Sequence, residues 1–153
     1  MSATNTPAMD GHRPPNPAFA DVVRQSFAQQ GLMTTFGARL AEIVPGRVVI
    51  ELPYSDAVSQ QHGLFHGGVI GAIADNAGGY CALTLMPAGS EVLTVEYKIN
   101  FMKPARGQLL RATGTVARAG KSVTVIRSEV DCIDGGTAAA CALMQATMIR
   151  MSG

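Results

Sequence analysis

Two periodicities divide the chain. From Gly67 to Met86 nearly every residue is small or apolar, which predicts a helix of about five turns at ~3.6 residues each, closed by Pro87 and Gly89. Beyond it the period shortens to two. Leu93, Val95, Tyr97, Ile99 and Phe101 alternate with Thr94, Glu96, Lys98 and Asn100, the signature of a strand. Strand-like runs follow over 108–117, 122–132 and 138–149, with breaks at Pro104 and Gly107, Ala119-Gly120 and Asp134-Gly135-Gly136. This second half is expected to be an antiparallel meander of four strands. Upstream, Phe19, Val22, Val23 and Phe27 predict a first helix over 18–30, with Gly31 as its stop. Two further strands are expected over 35–43 and 47–52, around a Pro45-Gly46 turn.

The expected class is α+β. An antiparallel sheet with one apolar face needs a cover, and the apolar helix is the only candidate long enough. Being apolar nearly all round, that helix must be wrapped by a strongly curved sheet or buried against a second chain as well. Residues 1–17, rich in Pro, Asn and Thr, read as a flexible tail before a single domain over 18–151.

Composition sharpens this picture in two places. Charged residues are only 15% of the 153, against a usual ~25%, so a homo-oligomer that hides surface is expected. The net charge of +1 makes a bulk nucleic-acid or membrane-surface polyelectrolyte a poor reading. Cys81, Cys132 and Cys141 are odd in number and lack CxxC spacing. Buried reduced thiols in a cytoplasmic protein are expected, with no disulfide framework and no zinc knuckle. No signal peptide is visible, and a spanning helix with Asp75 at its centre fits poorly.

Asp75 is the candidate chemistry. It is the only charged side chain between Asp56 and Glu91, in the middle of the most apolar helix. An ionised carboxylate there is costly unless paired. Either it holds a buried polar network or it serves as a base or nucleophile with a raised pKa. His66-Gly67-Gly68 opens the same helix. Glycines there leave backbone N–H groups open to a ligand, where the helix dipole favours negative charge. That suits an oxyanion hole, and equally a plain glycine turn. Gly67 and Asp75 are eight residues apart, roughly 12 Å along one helix. A single carbonyl meets both only if two helices from two chains lie antiparallel, as in a two-fold dimer.

The stretch from Gln60 to Ala77 (QQHGLFHGGVIGAIADNA) resembles the HGG…D signature of hotdog-fold acyl-CoA thioesterases, specifically the phenylacetate-pathway (PaaI-like) group. The resemblance continues through 94–105 and the Arg118 to Ser122 hairpin, and covers about residues 30–150. It implies a curved sheet around one helix, dimers or tetramers with shared sites, acyl-CoA as substrate and no cofactor or metal. Asp75 then matches the general base or nucleophile, and Gly67 the amide that polarises the thioester carbonyl. Gln60 matches the amide that places water or thioester, His66 the motif histidine, and Thr94 a hydroxyl that orients water. The hydroxyl that some relatives carry one turn after the acid is Gly79 here. Gly68, Arg118 and Lys121 are the expected substrate contacts, the two cations for the CoA phosphates. Val69, Ile73, Tyr80, Phe101 and Met102 are the expected acyl pocket wall.

Three rivals are weaker. His62 and His66 have i,i+4 spacing, but the glycines around them break a helix, and no HExxH pattern exists for a metal hydrolase. Hydratases of the same fold carry a paired histidine and carboxylate motif that is missing. Non-catalytic acyl-CoA sensors usually carry an added DNA-binding module, and 153 residues leave room only for a tail and a short helix.

Overall fold

The computed structural model describes residues 11–153. Two short helices come first, α1 (Phe19–Ala28) and α2 (Gly31–Phe36), then the strands β1 (Arg39–Val44) and β2 (Arg47–Pro53). The long helix α3 (Gly67–Leu83) precedes β3 (Ser90–Phe101), β4 (Leu109–Ala119), β5 (Val123–Asp134) and β6 (Thr137–Ser152). All strand pairs are antiparallel, in the order β1-β2-β4-β5-β6-β3. One sheet covering one long helix is the hotdog fold, and the α+β expectation holds. Among the described residues no helix is long and apolar enough to cross a membrane.

The expected meander holds for β4-β5-β6 but not for β3. That strand lies beside β6, so the β3–β4 connection crosses the sheet. Alternation along a strand reports which face is apolar, not which neighbour it pairs with. Gly31 also differs from expectation: it starts α2 instead of stopping the chain's first helix. Met33 anchors this helix in the core, and the Thr34 and Thr35 hydroxyls donate back to the Gln30 and Gly31 carbonyls. The first strand therefore begins at Arg39, after Gly37 ends α2 with φ 75°. At its far end α3 stops at Leu83 because Thr84 Oγ1 donates to the Cys81 carbonyl and the next turn tightens to i−3 bonds.

The core lies between α3 and the concave sheet. Ile70, Ile73, Ala74, Ala77 and Cys81 of the helix meet Val48, Ile50 and Leu52, Leu110 and Ala112, Ile126 and Val130, and Met144 and Met148 of the strands. The closest approach is at Gly114 on β4. A Cβ there would sit 2.3 Å from the Ala77 carbonyl oxygen, so only glycine lets the helix lie this deep. Of the expected tail, residues 1–10 lie outside the described residues, and His12 packs its ring over Gly46.

β3 is an edge strand of 12 residues, paired on one side only. It leaves Leu93, Val95, Tyr97 and Phe101 between 47% and 57% exposed. The other edge, β1, has six residues and opens on Arg39.

Candidate active site

The face of α3 that carries Gly67, Gly71, Asp75 and Gly79 has a period of four, and β3 runs over it in the opposite sense. Positions for Cβ at Gly67 and Gly71 lie 3.4 Å from the Phe101 ring and 3.5 Å from the Tyr97 hydroxyl. Gly79 faces Val92. Between them Thr94 Oγ1 donates to Asp75 Oδ1 at 2.7 Å. A β-bulge between Thr94 and Glu96 makes this alignment possible. Residues of odd number from Tyr97 onward face the helix. The extra residue, Val95, shifts the parity so that even-numbered Thr94 and Val92 do so. Strict alternation from Leu93 to Phe101 is thus corrected: Thr94, not Leu93, shares the helix-facing side with Tyr97.

Asp75 is half-buried, and burial raises its pKa above the ordinary 3.8, with the Thr94 hydrogen bond pulling the other way. It makes no ion pair among the described residues. A cleft of about 240 Å³ opens beside it, lined by Ser26, Gln30, Asn76, Tyr80, Glu91 and Thr94 among others.

The helix N-terminus is built by His66. Its extended backbone makes it the N-cap, and its Nδ1 accepts from the Gly68 N–H at 2.9 Å. The Gly68 amide is therefore occupied within the loop, which differs from its expected role in touching substrate. Gly67 N–H finds no acceptor among the described residues and remains the open donor. His66 N–H donates to the Val58 carbonyl and Phe65 N–H to the Ala105 carbonyl, fixing the loop to its neighbours. Gln60 lies in the same loop, where its Oε1 accepts from the His62 N–H. Its Nε2 is the end left for other work.

Within one chain, Asp75 and Thr94 are brought together midway along α3, whereas Gly67, His66 and Gln60 gather at its N-terminus. Arg118 and Lys121 sit exposed at the β4–β5 turn. Register places that turn level with Thr94, through Thr94–Met148, Met148–Thr124 and Thr124–Ala119 pairs. Of the other cations between Lys98 and Arg127, Arg111 pairs with Glu51 and Arg127 with Glu129. Of the residues expected in the acyl wall, Tyr80 lines this cleft. Val69 and Ile73 point into the sheet core, and Phe101 and Met102 are exposed. Ser26, Gln30, Asn76 and Glu91 were not anticipated as cleft residues, and no local pattern marks them. α1 and α3 meet only in the fold.

Comparison with known proteins agrees with this fold. The family model of the thioesterase superfamily matches residues 62–139. A crystal structure of a thioesterase family protein from Silicibacter pomeroyi is 40% identical and superposes with a TM-score of 0.87, covering 88% of this chain and 99% of that one. The 1,4-dihydroxy-2-naphthoyl-CoA hydrolase of Listeria monocytogenes is 28% identical over 95 residues, 62% of this chain and 77% of its own. The Escherichia coli PaaI protein of the phenylacetic acid degradation operon is 20% identical and shares the fold, with a TM-score of 0.78 over 88% of this chain and 94% of its own.

Proposed function

The chain belongs to the thioesterase superfamily, and from that premise we propose that it hydrolyses acyl-CoA thioesters at sites shared between two copies of a single domain, residues 18–151. The observation that carries this reading is Asp75, a carboxylate with a raised pKa held by Thr94 at the mouth of a cleft. Such a group is a suitable base near neutral pH.

In this reading the thioester carbonyl lies against the Gly67 N–H of the partner subunit, at the N-terminus of its α3, where developing negative charge is stabilised. Asp75 takes a proton from the attacking water, or adds to the carbonyl itself to give an anhydride that water then opens. In either route the carbon–sulfur bond breaks and CoA leaves as its thiol. Gln60 Nε2 holds the water or thioester, and His66 fixes the amides. Gly68 keeps the approach free of a side chain, while Arg118 and Lys121 meet the CoA phosphates.

A two-fold pairing of β3 edges supplies the second chain. A long edge strand with exposed apolar side chains is a template for another strand, and pairing it with its own copy sets the two α3 helices antiparallel. Three unpaired buried cysteines support a cytoplasmic setting. The test is thiol release from acyl-CoA esters. The wild-type protein is expected to turn over, and Asp75→Asn to lose at least about a thousandfold while keeping its assembly. Undiminished turnover by Asp75→Asn rejects the role given to Asp75.

A further inference from the structure

The cleft beside Asp75 is polar where an aliphatic acyl chain would want hydrocarbon. Its far wall comes from α1 and the link behind it, which lie outside the segment matched by the family model. Val23 of α1 enters the core, and Phe27 packs against the Tyr80 ring at 6.1 Å between centroids. Ser26 and Gln30 instead join the Tyr80 hydroxyl. Gln30 Nε2 donates to it at 2.7 Å, and Ser26 Oγ lies 3.1 Å from it. Asn76 lines the same space, and its Oδ1 has no hydrogen-bond partner. The two charged side chains on the lining, Asp75 and Glu91, are both acids, with no cation among the described lining residues.

Size decides which part of the substrate enters. At about 240 Å³, the cleft falls below the ~300–1,000 Å³ of sites for drug-sized ligands. That volume suits an acyl group better than a nucleotide. Resting on the thioesterase reading above, we infer that this cleft is the acyl subsite and that Ser26, Gln30 and Tyr80 select neutral acyl groups that end in a hydroxyl. A ligand hydroxyl can join the Gln30–Tyr80–Ser26 chain as donor and acceptor. A methyl in its place desolvates those groups and returns nothing. A carboxylate tip meets Asp75 and Glu91 with no counter-charge.

Three esters matched in chain length separate the cases: 6-hydroxyhexanoyl-CoA, heptanoyl-CoA and adipoyl-CoA. In the wild-type protein, kcat/KM for the hydroxyacyl ester is expected to exceed that for heptanoyl-CoA by about tenfold or more. Adipoyl-CoA is expected to be poorest. Tyr80→Phe is expected to bring the hydroxyacyl-to-heptanoyl ratio down toward one. Gln30→Leu, on a half-buried position nearer the surface, is expected to do the same should Tyr80→Phe fold badly. A ratio unchanged in folded variants makes the three residues a mere tie between α1 and α3, and overturns the inference. Hydrolysis of all three esters at similar rates overturns it too, leaving the thioesterase reading intact. Hydrolysis of none of them while phenylacetyl-CoA is turned over overturns the inference alone, and hydrolysis of none of the four overturns both.

Discussion

Thr94 Oγ1 reaches Asp75 Oδ1 across 2.7 Å, joining the edge strand to the central helix at the one charged position of that helix. The bond supports the carboxylate in its ionised form, against burial. Thr94→Val keeps the shape and removes the donor. Asp75 is then expected to hold its proton to higher pH, moving the acid limb of the pH profile of kcat/KM upward. Turnover at neutral pH should fall about tenfold, the scale of a hydrogen bond to a charged group. Thr94→Ser, which keeps the donor, should preserve the profile. Identical profiles for the valine and wild-type proteins would separate Thr94 from the chemistry.

The same raised pKa makes a prediction about stability. A carboxyl with a raised pKa in the folded state contributes stability while protonated. That contribution is complete below the ordinary value of 3.8 and is lost as pH rises through the raised one. At neutral pH the ionised Asp75 is therefore a burden on the fold. Asp75→Asn is expected to raise Tm at pH 7 by roughly a few degrees, with the gain shrinking as pH approaches 4. Activity and stability should move in opposite directions. A lower Tm at pH 7 for the asparagine variant would contradict the burial argument.

How much of this was legible in the sequence follows from the range of the interactions. α3 and the later strands could be read because period and punctuation are local: Pro87 and Gly89 follow within a few residues of the helix end at Leu83, and Asp134-Gly135-Gly136 gives a turn with φ 55° and 83° at its glycines. Asp75 stood out because one charge in an apolar run is conspicuous. The place of β3 beside β6 was not legible, since alternation does not encode a neighbour. Nor was the bulge at Val95, which turns Thr94 toward the helix through a shift that the unbroken alternation concealed. Ser26 and Gln30 escaped for the same reason: 50 or more residues separate them from Tyr80.

Gly114 tests whether the depth of α3 in the sheet matters to the site. An added methyl would meet the Ala77 carbonyl oxygen at 2.3 Å and the Gly78 nitrogen at 2.7 Å, both backbone atoms two and three residues after Asp75. Neither can rotate away, so the helix must lift. Gly114→Ala is expected to destabilise the protein by about 2–3 kcal/mol in denaturant unfolding and to lower turnover by displacing Asp75. Gly79→Ala is the control on the same helix, where a Cβ meets only Val92 at 4.0 Å, and it should leave stability within about 1 kcal/mol of wild type.

Division of the site between two chains can be read by mixing two inactive proteins. Asp75→Asn removes the base. Gly67→Pro removes the amide hydrogen at the first position of α3, where proline is well accepted. The preceding His66 already has the extended backbone, ψ 137°, that proline requires of its neighbour. In a mixed dimer with shared sites, one site combines both defects. The other receives Asp75 from one chain and Gly67 from its partner, both intact. Refolding the two variants together in equal amounts is expected to restore about a quarter of the wild-type activity, since half of the dimers are mixed and half of their sites are whole. Sites confined to single chains would give no recovery, because every chain in the mixture carries a defect. Recovery should also disappear when Val95→Lys places a charge on the exposed β3 edge of both proteins, and sedimentation should then report monomers.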